Sequence, residues 1–343
     1  MKSSNKRVLF LINTITSYQN NFYFELSKLI NIKVIVLNRK HKNYNFKLIQ
    51  DFYEYLDNQN NKKNKLKKII DYFNPTHIIF GGYRLDNSFF IKKLISKKKV
   101  KTYYWLERLN QKKNLKLSIL KILLRKILKN ADGIIAIGTE AKNFYKDFNT
   151  NVINIPYSIK VEKTSKKKRD LKKKINFLFV GQLIYRKGFD LIYKLIKNKK
   201  YKNLNLNVVG EGDYKQEVIA LTKISKNVKY YPFQNQKSLK KIYLQNDVLI
   251  FISRFDGWGV VALEAMNYNL AIISSNNVGV KEIYPKEKII INPEINELDK
   301  KIKLLLNNTS FVRKLGFKNK ISLQKSICNS NNAIKKFINF INR

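Results

Sequence analysis

The sequence predicts an α/β protein made of two tandem, doubly wound parallel sheets, and three observations predict it. Short apolar runs recur along the chain, each followed by a turn or a polar tip and then by a segment with helical spacing. The alternation stops in a charged stretch, VEKTSKKKRDLKKK at 161–174, and then begins again. In the second series DVLIFIS (247–253) leads through Asp256-Gly257-Trp258-Gly259 into VVALEAM (260–266), a strand, a tight turn and a helix start. Strands that alternate with helices pair in parallel and carry helices on both faces.

Taken in order, RVLFLI (7–12) reads as the first strand, and Asn20 to Leu29 as a helix with Phe22, Leu26 and Leu29 on one face. IKVIVLN (32–38) is the next strand. The basic, aromatic-rich region 40–68 carries no clear period, although its later part has helical spacing. THIIFGGY (76–83) is a strand ending in a glycine pair, with His77 in a structural place at its start. VKTYYWLER (100–108) runs into a polar tip. Residues 112–129, KKNLKLSILKILLRKILK, form a basic amphipathic helix with Leu115, Ile119, Ile122, Leu123 and Ile127 near one face. That stripe either packs on the first sheet, the reading favoured here, or lies on an anionic membrane. ADGIIAIG (131–138), a helix capped by Thr139 and running to Phe148, and VINIPYSI (152–159) close the first series. The second contains INFLFVGQL (175–183), a helix from Asp190 to Lys197, NLNVVGEGD (205–213), VKYYPF (228–233), a helix capped by Ser238, DVLIFIS, AIISS (271–275) and EKIIIN (287–292). A last helix over Asn332–Arg343 places Ile334, Phe337, Ile338 and Ile341 at helical spacing.

Composition narrows the function. The chain has 343 residues, 44% hydrophobic, enough for two domains. Its 69 Lys and Arg against 24 Asp and Glu give a net charge of +45, a field that attracts nucleic acid, acidic membranes and phosphorylated substrates. Lys, Asn, Ile, Tyr and Phe all have A/T-rich codons, and codon drift on solvated surfaces accounts for much of the excess. The lysines are spread over the whole chain rather than gathered with aromatics in one module, which argues against a specific nucleic-acid-binding protein. One cysteine, Cys328, allows no internal disulfide and fits a reducing cytoplasm. No run reaches the roughly 20 apolar residues that span a bilayer. The start resembles a signal peptide, but its apolar part is too short, and a buried first strand is expected.

In open parallel sheets ligands bind beyond the carboxyl ends of the strands. The loops there are rich in glycine in the second half: Gly181 to Gly188 with Arg186 and Lys187, Gly210-Glu211-Gly212, Pro232-Phe233, Asp256 to Gly259, and Asn276 to Gly279. The turn at Gly257–Gly259 is a natural seat for phosphate, with backbone N–H groups and a helix dipole behind them. Asp256 and Glu264, with seven residues between them, suit neutral hydroxyls of sugar and ribose better than an anion. The chain has no Asp-x-Asp, so a diphosphate leaving here would be met by Arg186, Lys187 and backbone amides, without metal.

These residues also carry a resemblance. GQLIYRKGFDLI (181–192), VVGEGD (208–213), YYPF (230–233) and FDGWGVVALEAM…NLAIISS (255–275) resemble, in order and spacing, the GT-B glycosyltransferases of the GT4 type. The strong match covers 175–292; RVLFLIN, IIFGGY, WLER, DGIIAIGTEA and INIPYS agree more loosely. The family's Glu-x7-Glu pair has Asp256 in its first place, Asn269 stands where a helix-ending Gly is usual, and Gln182 replaces a frequent Arg. The resemblance implies two Rossmann-like domains facing across a cleft: an acceptor domain at 1–160, a linker at 161–174, a donor domain at 175–325, and a final segment, 326–343, returning to the first domain. It implies that Arg186 and Lys187 clamp the diphosphate and that Glu264 binds the ribose. Asp256, with the amides of Trp258 and Gly259, would hold the donor sugar and its phosphate. Gly181, Gly210 and Gly257 would lie at the donor, and Pro232 and Phe233 against the base. The reaction implied is transfer with retention by front-face displacement, from a nucleotide-sugar to a glycan or lipid-linked acceptor, in cell-surface polysaccharide synthesis. No metal or other cofactor is expected, and the place is the cytoplasm, at the inner face of the plasma membrane. Glu107 and Arg108 either touch acceptor or donor, or form an ordinary surface ion pair. Two further readings remain in view: a nucleotide-sugar epimerase on a similar frame, against which the scarcity of His counts, and a basic nucleic-acid-binding protein.

Overall fold

The computed structural model describes residues 5–37, 51–56, 62–82, 85–96, 98–109, 115–162, 174–198, 201 and 203–342. Most of the expected linker (163–173), residues 112–114 of the basic helix and much of region 40–68 lie outside them. The chain divides into two compact units, residues 1–158 with 330–343, and residues 159–329.

The first unit holds strands β1 (Arg7–Ile12), β2 (Asn31–Val36), β3 (Tyr53–Tyr55), β4 (His77–Gly81), β5 (Lys101–Glu107), β6 (Gly133–Ile137) and β7 (Val152–Asn154). Its helices are α1 (Ser17–Ser27), α2 (Lys62–Phe73), α3 (Leu85–Ile95), α4 (Leu115–Lys129) and α5 (Thr139–Tyr145). The second unit holds β8 (Asn176–Val180), α6 (Phe189–Lys197), β9 (Asn205–Val209), α7 (Lys215–Ile224), β10 (Val228–Tyr231), α8 (Gln236–Gln245), β11 (Val248–Phe251), α9 (Val260–Asn267), β12 (Ala271–Ser275), β13 (Ile289–Ile291), α10 (Ile295–Leu306) and α11 (Thr309–Lys325). The last helix, α12 (Ser330–Ile341), belongs to the first unit.

Both sheets are parallel. Strand order is β3-β2-β1-β4-β5-β6-β7 in one and β10-β9-β8-β11-β12-β13 in the other. The order reverses between β1 and β4, and again between β8 and β11, and at such a reversal the loops part and leave a crevice.

Alternation along β1 explains the first unit's two cores. Leu9 and Leu11 pack with Leu66 and Ile70 of α2, Leu124 and Leu128 of α4 and Tyr145 of α5. Val8, Phe10 and Ile12 face the other way, onto Phe22 and Leu26 of α1 and Ile334, Phe337, Phe340 and Ile341 of α12. Each such side chain contributes roughly 1.5–3 kcal/mol of burial, so the final helix is fixed firmly to this sheet. In the second unit Phe177 and Phe179 of β8 pack with Phe189, Ile192 and Leu195 of α6, Val218 of α7 and Leu298 of α10.

Several expectations need correction. Helix α1 begins at Ser17, because Gln19 Oε1 accepts from Thr16 N (3.1 Å) and Thr16 Oγ1 (2.8 Å) and closes the first turn early. Leu29 falls beyond its end and is exposed. The cap of α8 is Asn235, whose side chain accepts from Ser238 N, rather than Ser238 itself. Helix α5 ends at Tyr145. In α4 the buried stripe is Leu124, Ile127 and Leu128, whereas Ile119, Ile122 and Leu123 are exposed. His77 is buried beside Thr76 Oγ1 (2.8 Å), and burial with Lys6 and Lys101 nearby lowers its pKa to about 4, which suits a structural imidazole.

Candidate active site

The second unit's crevice is built from main chain first. Leu183 N donates to Glu211 O (2.9 Å) and Arg254 N to Arg186 O (2.8 Å). Asp256 N donates to Asn277 O (3.2 Å) and Val280 N to Trp258 O (2.9 Å). The loops after β8, β9, β11 and β12 are thus stitched into one rim. Gly210 shows why side chains are excluded from it: its φ is +139°, and a Cβ there would lie 1.9 Å from Gly181 O.

Across the switch point the loop after β8 meets the loop after β11. Lys187, in a 3₁₀ turn at Tyr185–Lys187, forms an ion pair with Asp256, and both side chains are largely buried. Arg186 Nη1 donates to Phe255 O (2.9 Å). Its second nitrogen lies 3.5 Å from Gln182 Oε1, so Gln182, which replaces a frequent Arg, sits beside Arg186 as an acceptor. Gly257 and Gly259 form the turn before α9, with Gly259 as its left-handed N-cap, and no side chain caps that helix. Its first-turn amides are therefore open to a ligand. Trp258 offers only backbone here, since its ring is buried beside Gly279. Asn269 has φ +58°, the left-handed cap expected of it.

Glu264 lies in α9 and accepts from the Tyr243 hydroxyl (2.9 Å). Burial raises its pKa from 4.5 to about 7, against a smaller opposing pull from that hydrogen bond. Tyr243 stacks on Tyr268 at 5.6 Å. Pro232 and Phe233 are exposed after β10, an edge strand two positions from β8, roughly 10 Å away.

One residue the sequence reading missed is Arg254. It holds buried Asp190 with both nitrogens (2.6 and 2.9 Å), donates to Tyr185 O (2.6 Å) and lies 3.6 Å above the Tyr185 ring. It thereby fixes the turn that carries Arg186 and Lys187. Its only sequence signal was an arginine inside the conspicuous turn region.

The first unit has its own crevice at its switch point, a cavity of about 270 Å³ lined by residues at the ends of β1, β4 and β5, by α1 and by Tyr157 and Ser158 after β7, with Glu107, the last residue of β5, among them. Arg108 pairs with Glu140, while Glu107 accepts from the Tyr157 hydroxyl, one cause of a Tyr157 pKa well above its ordinary value after burial itself. Among the described residues no group of three or more His, Cys, Asp or Glu is placed to hold a metal ion.

Two doubly wound units, each with a crevice at its strand-order reversal, are the GT-B fold. Residues 160–321 match the family model described as glycosyl transferases group 1. A Klebsiella pneumoniae protein described as an uncharacterized 41.2 kDa protein in the cps region is 29% identical over 228 residues, 60% of this chain and 61% of its own. The amylovoran biosynthesis glycosyltransferase AmsD of Erwinia amylovora is 27% identical over 135 residues, 37% of each chain. The alignments thus span less than two thirds of either relative. Among solved structures, sucrose-phosphate synthase from Thermosynechococcus elongatus superposes with a TM-score of 0.79 at 14% identity over 98% of both chains. Anabaena HepE in complex with UDP-glucose gives 0.79 at 13% identity, over 98% of this chain and 99% of that one. At such identities they speak for the fold.

Proposed function

We propose that the protein is a retaining glycosyltransferase that binds a nucleoside-diphosphate sugar in the crevice of residues 159–329 and passes the sugar to a glycan or lipid-linked acceptor. The observation that carries this reading is the meeting, at one switch point, of Arg186, Lys187, the Asp256 carboxylate and the uncapped start of α9. Cations and amides suit a diphosphate; Asp256 and Glu264 suit hydroxyls of the donor sugar and the ribose. Pro232-Phe233 remains the expected seat of the base. The fold shared with HepE, crystallised with UDP-glucose, and relatives described by a cps region and by amylovoran biosynthesis support a role in polysaccharide assembly.

In this mechanism the acceptor hydroxyl attacks the anomeric carbon on the side from which the diphosphate departs. The departing phosphate oxygen takes the hydroxyl proton, and the glycosidic bond forms as the sugar–phosphate bond breaks. No enzyme nucleophile is needed. Asp256, already paired with Lys187, acts as a hydroxyl acceptor, and Arg186, Lys187 and the α9 amides take up the negative charge that develops, without a metal ion.

Among the described residues no helix is long and apolar enough to cross a membrane. The exposed Ile119, Ile122 and Leu123 of α4, beside Lys121, Arg125 and Lys126, support peripheral binding to an anionic bilayer at the cytoplasmic face, where a lipid-linked acceptor would lie.

The test is a thermal-shift panel of UDP-, GDP- and ADP-sugars with and without chelator, followed by donor turnover in Lys187→Ala and Glu264→Ala. A donor that raises Tm by mass action and a turnover loss of about 100-fold or more in Lys187→Ala are expected. Absence of any nucleotide-sugar shift, or wild-type turnover in both variants, overturns the assignment; loss of turnover under chelation overturns its metal-free part.

A further inference from the structure

The crevice of the first unit differs chemically from the chain around it. Lys and Arg make up 69 of 343 residues, yet among the described residues that line this cavity there is neither, and the one charged side chain among them is Glu107. A site for phosphate, nucleotide or acidic sugar would need the opposite sign.

Its walls are of two kinds. Tyr18 and Tyr157 lie with ring centroids 4.9 Å apart, and Trp105 lies 6.5 Å from Tyr157. The Trp105 ring is fixed by its Nε1, which donates to Ile155 O (3.0 Å). These three give an apolar aromatic surface. Around it stand polar atoms. Asn13 Oδ1 and Ser158 Oγ are buried, line the cavity and have no hydrogen-bond partner among the described residues. Buried polar atoms are rarely left so, and both can accept from a hydroxyl while Ser158 can also donate. Glu107 is held in place by Tyr157. At about 270 Å³ the cavity is smaller than the roughly 300–1,000 Å³ of sites for drug-sized ligands. It has room for a single ring rather than a lipid chain.

We propose that this cavity seats an uncharged hexopyranose, its C–H face over Tyr18, Trp105 and Tyr157 and its hydroxyls on Glu107, Asn13 and Ser158. In calling this sugar the terminal unit of the acceptor, and only in that, the proposal rests on the glycosyltransferase reading above. It narrows the acceptor class to a neutral glycan end and sets uronic acids aside, because a second carboxylate beside Glu107 is repelled.

The test uses the full chain and tryptophan fluorescence. Trp105 lines the cavity, whereas the other tryptophan, Trp258, is buried in the other unit. The protein is titrated with methyl glycosides of glucose, galactose, mannose and N-acetylglucosamine, and with methyl glucuronide. At least one neutral glycoside is expected to give a saturable change that Trp105→Phe abolishes while its thermal melt stays cooperative. Methyl glucuronide should bind about tenfold more weakly or worse. In Glu107→Gln, which keeps an acceptor for Tyr157, the ratio between neutral sugar and glucuronide should fall to within about threefold. No saturable change with any neutral glycoside, equal binding of glucuronide by the wild type, or an unchanged ratio in Glu107→Gln overturns the proposal. Nucleotide-sugar binding is followed separately by thermal shift. Sugar binding without nucleotide binding would sink the transferase reading and leave this pocket standing; the reverse would do the opposite.

Discussion

Glu264→Gln should make the protein more stable at pH 8 than the wild type, relative to their difference at pH 5. The reasoning starts from the raised carboxyl, which ionises at about 7 in the folded chain against 4.5 ordinarily. A folded-state acid with a raised pKa holds its proton where the unfolded chain has already released it. Stability therefore falls as pH rises from about 4.5 to about 7 and stays lower above that window. At 1.36 kcal/mol per pH unit the ionised form costs on the order of 3 kcal/mol. Glutamine keeps the acceptor for Tyr243 and never ionises, so the variant lacks this fall. All other carboxylates titrate alike in both proteins and cancel in the difference. The assay is urea unfolding of both at half-unit steps from pH 5 to 8.5. The variant-minus-wild-type stability should grow by roughly 2–3 kcal/mol across that range, with most of the growth below pH 7.5. A flat difference would refute the claim that burial perturbs this carboxyl. Function should move the other way: if the ionised carboxylate holds the ribose, nucleotide affinity of the wild type rises through pH 7, and that of Glu264→Gln stays level and weaker.

Gly210→Ala, with its added Cβ 1.9 Å from Gly181 O at a positive φ, should cost about 3 kcal/mol or more, seen as a Tm drop of roughly 6–12 °C by calorimetry. Arg254→Lys loses the two-nitrogen grip on Asp190 and the stack on Tyr185; it should lower stability by on the order of 2 kcal/mol and reduce donor turnover, while Asp190→Asn should do much the same and the double variant little more. Ile122→Asp, at a side chain 71% exposed, should leave urea unfolding unchanged within about 0.5 kcal/mol yet weaken flotation with phosphatidylserine vesicles by about tenfold; unchanged flotation would remove α4 from the membrane reading.

The central strands were legible because parallel strands buried on both faces are near-continuous apolar runs, as in RVLFLI and DVLIFIS. The loops after them were legible because backbone-to-backbone contacts such as Gly210 on Gly181 admit only glycine. Edge strand β3 was not, since YEY is short and half-buried. Helices α3, α7, α10 and α11 were missed because polar and charged residues interrupt their apolar spacing and dilute the period. In α4 two apolar stripes overlap, and spacing alone does not say that Leu124 and Leu128 go inward while Ile122 stays out. At the site, spacing brought out Arg186, Lys187 and Asp256 but not that Lys187 and Asp256 pair, nor that Arg254 and Asp190 hold the turn. Those contacts join residues 64 to 69 positions apart, a separation at which no local pattern survives.

The Lys187–Asp256 pair bears on discrimination among solutes. In so basic a protein a bare lysine at a helix start would collect inorganic phosphate, free nucleotide or any stray polyanion. With a tethered carboxylate already in place, an incoming anion must compete for the ammonium and leaves the acid without its partner. A hexose joined to the diphosphate can offer that acid a hydroxyl in exchange, and inorganic phosphate cannot. On the proposed reading the resting crevice is in this way self-plugged, and a molecule carrying sugar and diphosphate together is what would open it.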